Sequence, residues 1–145
     1  FMIAPNVGEP LKPLARIASG GELSRTMLAI KSALSGAGKT AATSVFDEVD
    51  SGIGGAVAEV VGKKLRSVAE GKQVICITHL PQVAVFGNCH NKILKKEEKG
   101  RTVTTLDSLS GMPRVMEIAR MLGGTKITDT TIKHAEEMLK SANSC

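Results

Sequence analysis

The chain has no tryptophan, no tyrosine and only three phenylalanines among its 145 residues. A base-stacking platform for single-stranded nucleic acid usually relies on aromatic side chains, so the composition argues against that class of binding surface. The core must be aliphatic, and an apolar content of 42% is enough for one domain. A complete domain of this length buries roughly 70% of its unfolded-state surface. Cysteine is sparse and odd in number, at Cys76, Cys89 and Cys145. Without a signal peptide, that usage fits a reducing compartment rather than a disulfide framework. Cys76, His79, Cys89 and His90 match no common zinc spacing, and Cys76 lies inside an apolar run. No segment approaches the ~20 apolar residues of a membrane span, and nothing at the start resembles a targeting peptide. A complete phosphate-binding loop is also missing. Ser35-Gly36-Ala37-Gly38-Lys39-Thr40 ends like one, but the required glycine five residues before Gly38 is Ala33. That segment also follows a helical stretch and precedes a strand, the reverse of what such a loop needs.

What is present begins with charge. Nineteen Lys and Arg against fourteen Asp and Glu give a net charge of +5, a balance compatible with a polyanionic partner. The basic residues are spread along the chain. The one dense run, Lys95-Lys96-Glu97-Glu98-Lys99-Gly100-Arg101, mixes signs and reads either as a solvated turn or as a loop facing DNA. The opening Phe1-Met2-Ile3-Ala4-Pro5-Asn6 reads as a strand end entering a turn, as expected of a piece of a longer protein.

Periodicity predicts the elements. Three prolines and a glycine make residues 5–13 a loop. Leu23, Met27, Ile30 and Leu34 recur at helical spacing over 21–34, and Val57, Val60, Val61, Leu65 and Val68 do so over 54–69, where Glu59 and Lys63 form an i,i+4 pair. Residues 43–46 and 73–78 read as buried strands covered on both faces. Pro81 opens a short helix to 86, residues 92–96 and 102–106 flank a turn as a hairpin, and Val115, Ile118, Ala119 and Leu122 mark a helix over 113–122. Asp129 is placed as the cap of a last helix reaching about 141. Strands alternating with helices predict an α/β fold with a mainly parallel sheet flanked by helices.

Three segments carry chemistry. Ser19-Gly20-Gly21-Glu22 opens a helix. Its free N–H groups, positive dipole end and two glycines suit a phosphate. The Ser–x–x–Glu spacing equally suits an ordinary capping box. Asp47-Glu48 follows a buried strand, where α/β proteins place ligand chemistry. Such an Asp can help hold Mg²⁺, and a neighbouring carboxylate can take a proton from an attacking water. A merely acidic turn is the plain alternative. His79, after the second strand, is either structural or a donor to a phosphate.

Taken in order, these segments resemble the C-terminal half of an ABC-type P-loop ATPase head of the kind shared with SMC proteins. Ser19-Gly20-Gly21-Glu22 resembles the signature motif, Val45-Phe46-Asp47-Glu48 the Walker B strand and His79 the switch histidine. Longer runs at 12–25, 46–55, 78–84 and 117–124 resemble a bacterial DNA-repair member of this family, and the resemblance covers nearly the whole chain. It implies that residues 1–145 are one part of a bipartite head. The Walker A half and a coiled coil would lie elsewhere in the same polypeptide. It implies ATP and Mg²⁺, with Asp47 on the metal through water, Glu48 on the attacking water and His79 on the γ-phosphate. Ser19, Gly20, Gly21 and Glu22 would contact ATP held by a second head, and Asp50, Ser51 and Gly52 would line the head–head interface, since Gly54 stands where many members carry Asp. The implied partners are the N-terminal half, a second head and DNA, with no membrane, in a cytoplasmic, nucleoid-associated setting. The implied function is ATP hydrolysis across a head dimer in double-strand break repair. The alternatives are the head of another SMC-like, chromosome-tethering ATPase and a non-catalytic, nucleotide-gated scaffold. For the chain alone the expectation is no ATPase activity and an exposed apolar face.

Overall fold

The structure, a computed structural model, describes residues 2–4, 7–14, 19–34, 43–98 and 100–144. The decoy loop at 35–40, together with Ile17, Ala18 and Lys99, lies outside the described residues. The elements in order are β1 (Met2–Ile3), β2 (Lys12–Pro13), α1 (Gly20–Ala33), β3 (Thr43–Phe46), α2 (Gly55–Val68), β4 (Gln73–Cys76), α3 (Pro81–Ala84), β5 (His90–Glu98), β6 (Arg101–Leu109), α4 (Gly111–Gly123) and α5 (Asp129–Asn143).

The fold is mixed α/β, but the expected mainly parallel sheet is corrected. Among the described residues the strands form three pairs, and only β3–β4 is parallel. The reason lies in the connections. β3 returns to β4 through the crossover helix α2, which permits parallel pairing. Only two residues separate β5 from β6, too few for a crossover, so the two pair antiparallel from His90↔Leu109 to Glu98↔Arg101. This hairpin is longer than its sequence signal, because β6 and the tip half of β5 are exposed on both sides and lack the apolar alternation that marks strand ends.

One hydrophobic cluster joins Leu28 of α1, Phe46 of β3, Val49, Ala58, Val61, Leu65 and Val68 of α2, and Val83 of α3. α2 comes close enough to α3 that a side chain at Gly62 would run into the Phe86 ring. The second cluster sits between α4 and α5, where Ile118, Ala119, Ala135 and Ala142 meet Val85 and Phe86. The Arg66 guanidinium on α2 donates to the Ala142 carbonyl on α5, tying the two clusters. The i,i+4 pair Glu59–Lys63 forms at 2.8 Å on the surface of α2.

Two expectations about burial are overturned. The β3–β4 pair is covered on one face only: Ser44 and Phe46 are buried, while Val45 is 63% and Ile77 50% exposed and Ile75 is also open. The stripe that marks α1 as a helix, Leu23, Met27, Ile30 and Leu34, also faces outward, and Leu28 is the residue that enters the core. Val57 and Val60 of α2 are exposed as well. Between α1 and α2 lies a groove of about 500 Å³ lined in part by Leu28, Ala29, Val60 and Val61. Apolar periodicity reports helix phase, not which partner covers the stripe. At α5 the cap is Thr128 rather than Asp129. Its hydroxyl accepts from the Thr131 N–H at 3.2 Å, and Asp129 is the first helical residue, where its charge suits the helix dipole. Among the described residues no helix is long and apolar enough to cross a membrane.

The hairpin is anchored at its base by Glu117, a buried carboxylate of α4. It accepts from the Lys92 ammonium of β5 and from Arg120 one turn along α4, Nη2 to Oε1 at 2.7 Å. Burial pushes the Glu117 carboxyl up, but Arg120 and Lys92 outweigh it and hold it below the usual range. A depressed folded-state pKa contributes stability that is fully present above the ordinary carboxylate value of about 4.3 and is lost as pH falls through the depressed value. Thermal melts taken from pH 7 to pH 3 should therefore fall more steeply for the parent than for Glu117→Gln, whose side chain does not titrate. Equal acid sensitivity of the two would exclude Glu117 as the group responsible.

Candidate functional site

The parallel register places Phe46 beside Cys76, and the Ile77 N–H continues the ladder to the Phe46 carbonyl at 3.0 Å. Both chains therefore leave the sheet at the same end. Asp47 and Glu48 follow β3 there, Thr78 and His79 follow β4, and the N-terminus of α1 packs against the same end. The three segments singled out in the sequence meet in one place.

Ser19 is the N-cap of α1, with a closed capping box. Its hydroxyl accepts from the Glu22 N–H at 3.3 Å, and the Glu22 carboxylate accepts from the Ser19 N–H at 2.7 Å. The Ser19 backbone N–H and then its hydroxyl, with help from Arg25, lower the Glu22 carboxyl despite a small opposing effect of burial. The box uses the N–H groups of Ser19 and Glu22; those of Gly20 and Gly21 are not part of it. The cap reading is thus met, and it leaves the Gly20 and Gly21 amides outside the box, with Gly21 itself buried against the acidic loop.

The two glycines also seat the acidic loop. A side chain on Gly20 would run into the Glu48 carboxylate, and one on Gly21 would lie 2.9 Å from both the Glu48 carbonyl and the Ser51 Cβ. Two further bonds clamp loop and helix together. The Ser24 hydroxyl donates to the Asp47 carbonyl at 2.6 Å, and Arg25 Nη1 donates to the Ser51 carbonyl at 2.7 Å. Within the loop the Asp47 carboxylate accepts from the Glu48 N–H at 2.9 Å, and Glu48 takes a left-handed conformation at φ +57°. Both carboxylates are exposed.

Asp50 goes the other way. It is 2% exposed, and one of its carboxylate oxygens, Oδ2, accepts from the Thr78 hydroxyl and from the His79 N–H at 3.0 Å. The same oxygen lies 3.2 Å from His79 Nδ1, while the His79 side chain is 74% exposed. Burial pushes the Asp50 carboxyl up, but the Thr78 hydroxyl, the His79 amide and the His79 ring together bring it below its usual value. Of the three residues assigned to an interface loop, Ser51 and Gly52 are exposed, whereas the Asp50 side chain is taken up inside its own chain. Sequence reasoning missed Ser24, Arg25 and Thr78, which brace this end of the sheet. Each adjoins or lies within a motif, but spacing gives no sign of where its side chain turns. Burial, followed by the charges of Asp50 and Asp47, pushes the Cys76 thiol up to about 12, so it is a protonated core residue at neutral pH.

Among the described residues no group of three or more His, Cys, Asp or Glu side chains could hold a metal ion by itself. A single exposed hard oxygen donor at Asp47 fits a different arrangement, because Mg²⁺ is usually held by one or two carboxylates plus the phosphates of its nucleotide. Lys95, Lys96 and Arg101 are exposed near the hairpin tip.

No family model matches the chain. It is 50% identical over 143 residues to the DNA repair protein RecN of Bacillus subtilis (strain 168). It is 50% identical over 140 residues to RecN of Xylella fastidiosa (strain Temecula1) and 45% over 142 residues to RecN of Vibrio cholerae serotype O1. These matches cover 99%, 97% and 98% of this chain and 25%, 25% and 26% of the relatives. The chain therefore spans about a quarter of the length of the curated relatives it matches. A solved structure described under ATP-driven dimerization and DNA-stimulated activation of SMC ATPases is similar with a TM-score of 0.51 at 20% identity, over 82% of this chain and 70% of that one. That likeness shows a shared fold.

The clamp between α1 and the acidic loop generates a test. Gly21→Val should push the loop off the helix and destabilise the protein by about 1–3 kcal/mol, the usual range for overpacking, as read by urea denaturation. A change within 0.5 kcal/mol of the parent would show that the loop does not rest on Gly21.

Proposed function

As a homologue of RecN along nearly its whole length, this chain is, we propose, the C-terminal part of an SMC-like ATPase head. In the whole protein that head binds and hydrolyses ATP between two heads in the service of DNA double-strand break repair. The observation that carries the reading is the meeting of Ser19–Gly21, Asp47–Glu48 and His79 at one end of the parallel pair.

The placement of the residues supports the following roles. Glu48, exposed and presented by a left-handed backbone, orients an attacking water and takes its proton. His79, with its imidazole in solvent, faces the γ-phosphate. Asp47 is the residue that would hold Mg²⁺, through water, and the ion when bound supplies positive charge against the phosphate oxygens. The Gly20 and Gly21 amides, with the Ser19 hydroxyl and the positive end of α1, face the ATP of the opposite head, with Glu22 holding the cap in shape. Ser51 and Gly52 lie at the surface between heads, and Asp50 stands behind them. The open face of Val45, Ile75 and Ile77 is where the N-terminal half of the same polypeptide docks. The relatives are about four times as long as this chain, which leaves ample chain to cover it. The setting proposed is the cytoplasm, at the nucleoid.

Two substitutions in the full-length protein test this. Glu48→Gln should lower turnover by about 10²–10⁴-fold, the usual contribution of a positioned base, while ATP binding persists. Unchanged turnover removes Glu48 from the chemistry. Ser19→Arg should abolish ATP-driven head dimerisation, measured by light scattering, and leave ATP binding to each head intact. Dimers that still form with ATP would show that the α1 N-terminus does not face the partner's nucleotide.

A further inference from the structure

We propose that Asp50 is a positioning residue for His79. Its buried carboxylate fixes which imidazole nitrogen carries the proton and aims the other nitrogen at the nucleotide. The proposal rests on the ATPase reading for the identity of the group that His79 faces, but not for the geometry itself.

Two donors and one ring nitrogen converge on one oxygen of Asp50. The Thr78 hydroxyl and the His79 amide belong to the chain segment leaving β4, and the third partner is the His79 ring itself, Nδ1 to Oδ2 at 3.2 Å. A carboxylate that only closed a loop would need no more than the hydroxyl and the amide. Here the same oxygen fixes the histidine at two points, backbone and ring. An ionised carboxylate accepts and never donates, and its negative charge 3.2 Å from Nδ1 favours the proton on that nitrogen. The depressed Asp50 carboxyl keeps the group ionised at neutral pH. Nε2 is then left on the open side of a ring that is mostly in solvent. A histidine oriented through its far nitrogen by a carboxylate is held in one tautomer and one direction. Asp50 is 2% exposed, so this carboxylate works from within its own chain, and the left-handed turn at Glu48 two residues earlier leads into the residue that aims the histidine. The acidic loop after β3 would in this way carry both the base and the support of the group on the next strand.

Two readouts in full-length protein test this. The first is the ¹⁵N spectrum of histidine-labelled protein, with the His79 signals identified by their loss in His79→Ala. Nδ1 should carry a proton in the parent, and Asp50→Asn should release the ring to a mixture of tautomers. Thr78→Val, which removes a donor to the same oxygen without touching the ring contact, should lower the melting temperature and leave the His79 tautomer unchanged. A parent ring protonated at Nε2 alone overturns the proposal even if Asp50→Asn does not fold, and so does a tautomer change in Thr78→Val. The second readout is a double-mutant cycle on ATP turnover. Asp50→Asn should lower kcat about 10–100-fold, the usual effect of losing a histidine's orienting partner, with KM for ATP moved less. The same change made in His79→Ala should add no more than about 2-fold, because residues acting as one unit are not additive. Independent, multiplying effects overturn the positioning role. If the full-length protein hydrolyses no ATP at all, the ATPase reading fails, and the ¹⁵N measurement still decides whether Asp50 fixes the ring.

Discussion

Thr43–Phe46 and Gln73–Cys76 lie parallel, Phe46 against Cys76, with the whole crossover helix Gly55–Val68 between them in sequence. Everything at the candidate site depends on that pairing. Parallel strands send both chains out at the same end, so the acidic loop and the Thr78–His79 segment become neighbours although they are about thirty residues apart. α1 precedes β3 and runs back along it, which brings its N-terminus to the same end. The strand ladder itself is short, and backbone hydrogen bonds contribute only about 1 kcal/mol each. What holds the register is the apolar layer beneath it, where Phe46, Val74 and Cys76 rest on Leu28, Val61 and Leu65. A slip by one residue would turn Phe46 out and Val45 in, and would carry Asp47, Glu48 and Asp50 away from their partners.

The Ser19-Gly20-Gly21-Glu22 segment shows why a choice between a structural and a functional reading is often a false one. Ser19 and Glu22 complete a capping box. Gly20 and Gly21 leave room for the loop that bears Glu48. Neither task uses up the amides of the two glycines. One short segment can start a helix, seat a neighbouring loop and still present an anion-seeking end, because each task draws on different atoms.

Much of this was legible in the residues. Helix phase came from apolar spacing, β3 from a short β-leaning run, and the capping box from Ser19 and Glu22. The inward residues Ile118 and Ala119 followed from period. What stayed hidden was of one physical kind. An apolar residue looks the same in sequence whether its own chain covers it or not, so Val45, Ile75, Ile77, Met27 and Ile30 read as core and are exposed. An aspartate three residues after another gives no sign of facing in or out, so Asp50 was placed at an interface while its carboxylate is buried on His79. Thr128 and Asp129 are both good caps, and only the backbone decides between them. The count of parallel strands was overestimated because alternation of strands and helices predicts pairing only where a helix makes the crossover.

Glu48 adds a consequence for anyone redesigning this chain. It is the one non-glycine residue at positive φ among the described residues. A left-handed conformation costs an ordinary side chain roughly 1–2 kcal/mol, and glycine escapes that cost. A search for stabilising substitutions guided by backbone comfort alone would rewrite position 48 early and return a hardier protein without the carboxylate. With the role proposed for Glu48, position 48 is where thermostability and chemistry pull apart most directly, and it should be frozen before any such optimisation begins.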